Sequence, residues 1–223
     1  MSNLVLVEYG PRIKGFDDLH EMRTVYEADE DYRNVEFYME RYNTPMCHQE
    51  NHAIKSLFLP VYEIISDKRI IDLGCGTGLL LQLCPYISQY LYTGIDISNE
   101  MIQEAKKNYP YGSFYSDDAR VAIKRIKDKH DLVVSLFSIP YIGTSTIEDV
   151  YRILRPGGYF FTVFYFLPFL NPASVYFNKE RHYIVDVLPQ VNKCIERAEQ
   201  LFKTIYKVPL TSSAYDVALY QKI

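Results

Sequence analysis

A single doubly wound α/β domain is what this sequence predicts. Three observations carry it: strand-like and helix-like segments alternate from Lys68 onward, the strand-like runs are apolar on both faces, and the first of them runs directly into a glycine-rich turn. Alternation of this kind is the sequence form of βαβ units, and strands without a polar face belong in a sheet covered on both sides. The strand segments are Arg69–Leu73, Leu91–Asp96, Gly112–Tyr115, Asp131–Leu136, Tyr159–Phe166, Thr204–Val208 and Val217–Gln221. The last two are separated only by Pro209 to Asp216, too short a link for a helical crossover, so they pair antiparallel. The expected sheet is seven-stranded and mostly parallel, with an antiparallel edge strand and helices on both faces.

The helices follow from apolar stripes. Met101, Ile102, Ala105 and Tyr109 form one stripe, with Ser98 as its N-cap; Ile147, Val150, Tyr151 and Leu154 form a second, ended by Pro156-Gly157-Gly158. Ile54, Leu57, Phe58, Val61 and Ile65 mark a helix leading into the first strand, and Leu19–Tyr42 reads as acidic helical material. The organisation expected is one domain over residues 1–223: an N-terminal helical cap or lid over 1–50, and a core over 51–223. The core carries a substrate-side excursion, 167–185, that includes Asn171–Tyr183.

Bulk properties narrow the partners. The 223 residues allow one sizeable core, and 48% hydrophobic with 23% charged residues is the balance of an ordinary globular protein. A formal charge of −4 without a Lys/Arg cluster lacks the footprint of a protein that tracks duplex phosphates, so DNA is not an expected partner. Cys47, Cys75, Cys84 and Cys194 form no CxxC pair and follow no signal peptide, which reads as reduced thiols in a cytoplasm. The apolar run from Tyr159 to Leu170 falls short of the roughly 20 residues of a membrane span and reads as a buried strand.

The chemistry is concentrated in Ile70-Ile71-Asp72-Leu73-Gly74-Cys75-Gly76-Thr77-Gly78, a strand, a glycine-rich turn and then the helical Leu79, Leu80 and Leu83. A dinucleotide fingerprint would place glycine at position 79, where this chain has Leu79, and no GK[ST] follows to make a P-loop. Asp96 ends the second strand, 22 residues after Gly74, and a carboxylate there can accept both hydroxyls of a ribose.

With Asp72 to Gly78 as first motif and Gly94-Ile95-Asp96-Ile97-Ser98 with Met101 as second, the chain resembles the class I S-adenosylmethionine-dependent methyltransferases, whose fold is Rossmann-like. Ser116-Asp117-Asp118-Ala119 looks like their third motif, and Leu154 to Tyr159 like the turn into their fifth strand. The resemblance implies S-adenosyl-L-methionine as cofactor, with Asp96 on the ribose, Asp118 and Ala119 at the adenine, and Gly74, Gly76 and Gly78 in close approach. Asp72 would lie near the methionine end, and Cys75, Ile97, Met101 and Ser135 would be further contacts. Tyr42 is a candidate to cover the cofactor, while Tyr141, Tyr165 and His182 are candidate bases on the acceptor side.

Against these stand plainer readings. Ser138-Ile139-Pro140-Tyr141 lacks the Asn/Asp and first proline of the amino-methylating motif, leaving Tyr141 as a cleft-edge aromatic. Cys47, His48 and His52 have no fourth ligand, so no metal is expected. The acceptor expected is a small molecule, with RNA or protein side chains as the alternative and a non-catalytic cofactor-binding subunit as a third reading.

Overall fold

The structure is a computed structural model of the 223-residue chain and describes residues 12–13, 35, 45–65, 68–165, 173–178, 181–186, 188–210 and 215–223. In chain order the elements are β1 (Arg12–Ile13), α1 (Pro45–Ile64), β2 (Ile70–Leu73), α2 (Leu79–Leu83), β3 (Tyr92–Asp96), α3 (Asn99–Asn108), β4 (Ser113–Ser116), α4 (Ala119–Arg125), β5 (His130–Leu136), α5 (Ile139–Ile142), α6 (Ser145–Ile153), β6 (Leu154–Tyr165), β7 (Ala173–Asn178), β8 (Arg181–Asp186), α7 (Leu188–Leu201), β9 (Lys203–Pro209) and β10 (Tyr215–Gln221).

Seven strands form the expected sheet in the order β4-β3-β2-β5-β6-β10-β9. Strands β2 to β6 pair in parallel, whereas β10 runs antiparallel to both β6 and β9, so the reversed strand lies one place in from the edge. Alternation along each strand sends side chains to two apolar layers. Ile70, Tyr92, Leu132, Val134, Phe161 and Val163 pack with α1, α2 and α3; Ile71, Leu73, Ile95, Val133, Phe160 and Phe164 pack with α4, α5, α6 and α7. Both faces are therefore covered, as the uninterrupted burial of β2 requires. The chain leaves β2 for β3 and β4 on one side and returns to β5 on the other, which puts a topological switch point between the carboxyl ends of β2 and β5.

Local signals act where expected at α3, where the Ser98 hydroxyl accepts from the Met101 amide at 3.3 Å and Met101, Ile102 and Ala105 are buried. The turn after α6 differs. The helix ends at Ile153 rather than at Pro156, and Leu154 already belongs to β6. Lys222 explains this: its Nζ binds the Tyr151 and Leu154 carbonyls, and its backbone exchanges hydrogen bonds with Gly157 and Gly158. Pro156-Gly157-Gly158 is thus a bulge inside the strand, matching the register shift between His130 and Leu132.

Helix α1 begins at Pro45 and runs through the expected division at 50/51. The 167–185 excursion holds an antiparallel hairpin, β7–β8, which pairs in parallel with β1 to make a separate three-stranded sheet. The helix expected over Leu19–Tyr42 lies outside the described residues apart from Val35, which is helical.

Candidate functional site

The turn after β2 is shaped by three glycines in the left-handed region, Gly74, Gly76 and Gly78, with φ of +72°, +53° and +91°. Two of them also leave room for neighbours. A Cβ on Gly74 would sit 2.3 Å from that of Ser138, and one on Gly78 would sit 2.7 Å from the Tyr109 ring. The turn is tied to β3, because the Gly74 and Cys75 amides both donate to the Ile95 carbonyl at 2.8 and 3.1 Å.

Asp96, half-buried at the end of β3, closes the arrangement. Its Oδ2 accepts from the Gly76 amide at 2.8 Å and its Oδ1 from the Ser98 amide at 2.9 Å. Removal from water raises its pKa, with the Ser98, Gly76 and Ile97 amides opposing the rise. The glycine turn and the second-strand carboxylate therefore face each other in contact, each oxygen keeping lone pairs for further donors.

Asp72 is fully buried. Its Oδ2 accepts from the Tyr92 hydroxyl at 2.6 Å, and its Oδ1 has no partner among the described residues. Burial lifts its pKa to about 7; the Tyr92 hydrogen bond pulls it down and the Asp96 charge pushes it up. Cys75 is buried, and its thiol is pushed well up chiefly by that burial.

Across the switch point a chain of hydroxyls supports the turn from below. Ser138 donates to the Leu73 carbonyl, Ser135 Oγ lies 2.6 Å from Ser138 Oγ, and Thr162 donates to the Ser135 carbonyl at 3.0 Å. Between them Phe137 takes a φ of +66°, a conformation uncommon for a bulky residue, and strain of this kind gathers at functional sites.

Asp118 is the N-cap of α4 and accepts from the Arg120 amide at 3.0 Å. Its two oxygens are also gripped by the Arg120 guanidinium, with Nε at 2.8 and 3.0 Å, so this carboxylate meets a ligand only through its remaining lone pairs. Ala119 is buried against the second layer, Ile97 is half-buried beside Asp96, and Met101 is buried in α3.

The structure thus brings Asp72, Gly74, Cys75, Gly76, Gly78, Asp96 and Ser135 into one linked set. Tyr141 lies in α5, just past the carboxyl end of β5, and Tyr165 is the last residue of β6, whereas His182 lies in β8 of the smaller sheet. Tyr42 lies outside the described residues. His48 and His52 are exposed on α1, and among the described residues no group of three His, Cys, Asp or Glu side chains comes together as metal ligands. No described helix is long and apolar enough to cross a membrane.

Sequence reasoning did not single out Tyr92, which reads as one more β-forming aromatic at a strand start. Tyr109 was legible only as part of a stripe, and Ser138 only as a departure from another motif.

Comparison with known proteins agrees with this geometry. Residues 70–158 match the family model described as a methyltransferase domain. Methyltransferase 235L of Invertebrate iridescent virus 6 is 38% identical over 106 residues, 45% of this chain and 38% of that protein. The mRNA cap guanine-N(7) methyltransferase of Eremothecium gossypii is 28% identical over 221 residues, 86% of this chain and 47% of that protein. The chain spans less than half the length of either relative. Among solved structures, N-methyltransferase NodS of Bradyrhizobium japonicum, in complex with S-adenosyl-l-homocysteine, superposes with a TM-score of 0.64 at 15% identity, covering 89% of this chain and 98% of that one. At that identity the likeness is one of fold.

A switch-point glycine turn joined to a second-strand carboxylate, on this strand order, defines an α/β protein of Rossmann-like type. With residues 70–158 matching a methyltransferase domain, the chain is similar in sequence and in fold to methyltransferases.

Proposed function

We propose that this protein transfers a methyl group from S-adenosyl-L-methionine to a small-molecule acceptor. The reading is carried by the hydrogen bond from the Gly76 amide to Asp96, which sets bare backbone and a carboxylate side by side.

The residues fit the cofactor. A nucleoside presents two adjacent hydroxyl donors, and Asp96 retains acceptor capacity on both oxygens. The amino-acid end presents an ammonium, and Asp72 has a buried oxygen without a donor among the described residues. When bound, the cofactor supplies a sulfonium-activated methyl group for in-line displacement.

The chain's part is positioning. Gly74 to Gly78 admit the ligand close to the backbone, Asp118 and Ala119 border the adenine, and Cys75, Ile97, Met101 and Ser135 line the remainder. A near-attack geometry places the accepting atom roughly 3–3.5 Å from the methyl carbon, and a base is needed only where that atom must lose a proton. Tyr141, Tyr165 and His182 are the proposed bases, and Tyr42 a proposed cover.

We assign the acceptor to the space between residues 1–50 and the 167–185 excursion. The parallel pairing of Arg12–Ile13 with β8 supports these two segments acting as one cap. The cytoplasm is the proposed compartment, on cysteine usage.

A second reading, RNA methylation, draws support from the alignment of 86% of the chain with a cap guanine-N(7) methyltransferase. The test is transfer of an isotopically labelled methyl group to fractionated metabolite, RNA and protein extracts. Label in the metabolite fraction is expected. Label confined to RNA or protein overturns the small-molecule reading, and cofactor binding without transfer to any fraction makes the chain a non-catalytic subunit.

A further inference from the structure

The rim of the sheet opposite the glycine turn gathers residues that the sequence scatters. The parallel strands begin there, and the segments leading into them take their places from the strand order. Tyr111 precedes β4, Tyr90 precedes β3, Lys68 and Arg69 precede β2, and Lys127 precedes β5. Lys203 opens β9, and Lys222 follows β10, which runs the other way. Ile70 pairs with Tyr92 and Thr93 with Ser113, so the approaches to β2, β3 and β4 lie side by side. Six steps between neighbouring strands, at about 4.8 Å each, make this row on the order of 29 Å long.

Two aromatic rings occupy one end of it. Tyr90 and Tyr111 are 74% and 61% exposed, with ring centroids 5.2 Å apart and planes inclined by 32°. The Tyr111 amide donates to the Gln89 side chain at 3.2 Å, which joins the two approaches. A neighbouring pair this exposed adds little to the core and keeps ring surface open to a ligand.

Positive charge collects along the same rim. Lys68, Arg69, Lys127, Lys129, Lys203 and Lys222 stand against Glu63, Asp128 and the terminal carboxylate among the described residues, a local excess of cations on a chain of net charge −4. Three of these cations serve the fold. Lys129 and Lys222 bind carbonyls of Arg152, Tyr151 and Leu154 where α6 passes into β6, and Lys68 lies 4.0 Å over the Tyr62 ring. Arg69, Lys127 and Lys203 are exposed, and they come from three distant stretches of chain, so spacing along the sequence conceals their alignment.

We propose that this rim is a docking surface for single-stranded RNA, with phosphates against Arg69, Lys127 and Lys203 and an unstacked base against Tyr90 or Tyr111. Cations that track a backbone beside aromatic platforms are the usual means of holding a single strand, because every base has a face to stack. A duplex keeps its bases paired and meets only the cations; an acidic peptide leaves the rings idle. RNA is the single strand of the cytoplasm, the compartment proposed above. The rim lies at the far end of the strands from Gly76 and Asp96, so it recruits a strand without presenting it to the glycine turn. The surface is therefore independent of the cofactor reading and of the identity of the methyl acceptor.

The test is fluorescence anisotropy of the full chain with a labelled oligouridine of about twelve nucleotides, over a series of salt concentrations. Three neutralised phosphates give a slope of about −2 in log affinity against log salt. Changing Arg69, Lys127 and Lys203 together to Glu should weaken binding tenfold or more and flatten that slope. Tyr90→Ala with Tyr111→Ala should weaken binding about 5- to 150-fold and leave the slope in place. Both variants should keep the wild-type melting temperature and affinity for S-adenosylhomocysteine, which separates docking from folding and from the cofactor site. RNA affinity that survives both sets of substitutions, or no RNA binding by the wild type, overturns the proposal. Equal affinity for duplex DNA also overturns it, and so does equal affinity for polyglutamate, which would make the rim a seat for an acidic protein.

Discussion

Replacing Asp96 with alanine removes one acceptor from two backbone amides and from any ribose that binds there. The amides of Gly76 and Ser98 lie 2.8 and 2.9 Å from its oxygens, so both are orphaned together. Hydrogen bonds to a charged acceptor contribute about 1.5–3 kcal/mol. Losing that much in the complex weakens binding of S-adenosylhomocysteine by roughly 10- to 150-fold at 1.4 kcal/mol per decade. Asparagine is no gentler a change. It offers one acceptor oxygen where two amides donate, so its NH2 group must face one of them donor to donor. We expect Asp96→Asn to lose affinity on the scale of Asp96→Ala, read by calorimetry, with thermal unfolding reporting the cost to the turn separately. Native affinity in a folded Asp96→Asn would refute the reasoning, because the carboxylate would then not be the group that the ligand meets.

Other substitutions probe the same framework. Gly74→Ala combines a φ of +72° with a Cβ only 2.3 Å from that of Ser138, and should destabilise by about 2–4 kcal/mol in denaturant melts; adding Ser138→Gly should recover part of the loss by freeing that space. Asp72→Asn should stabilise the ligand-free protein at neutral pH. A buried acid raised from 3.8 to about 7 makes the native state the tighter proton binder, so stability falls as pH climbs between those values and is level above; the bound is about 4 kcal/mol at 1.36 kcal/mol per unit. The same slope should be missing from pH-dependent melts of the variant. Asp118→Ala, which strips both the N-cap of α4 and the Arg120 fork, should cost about 1–2 kcal/mol in chemical denaturation, with a smaller effect on cofactor affinity than Asp96→Ala.

Much of the sheet, and the joining of the glycine turn to Asp96, was legible because the signals are local. Ser98 caps α3 three residues before the amide it binds, and the glycine turn and Asp96 announce themselves by spacing along adjacent strands. What was not legible depends on partners distant in sequence. Pro156-Gly157-Gly158 looks like a helix stop, yet Lys222 pairs with it and makes it a strand bulge. The hairpin of β7 and β8 is completed by Arg12 and Ile13, whose register with Ile184 and Val185 no periodicity could reveal. Asp118 shows how one residue type serves two ends, since a carboxylate before alanine reads as a ligand contact and is here also a helix cap held by Arg120. The partnership of Tyr92 with Asp72 is a matter of side-chain reach across neighbouring strands, which a list of residues does not encode.

The place of β10 between β6 and β9 carries a consequence for assembly. The outermost strand precedes in sequence the one that joins it to the rest, so β9 has no place to dock until β10 is paired with β6. Until β10 slides into the gap, the flank of β6 stays open to any other extended segment, and a single late insertion then seals both. Slow or failed insertion would leave the edges of β6 and β9 unpaired at once, and open edges of this kind invite aggregation or capture by a chaperone.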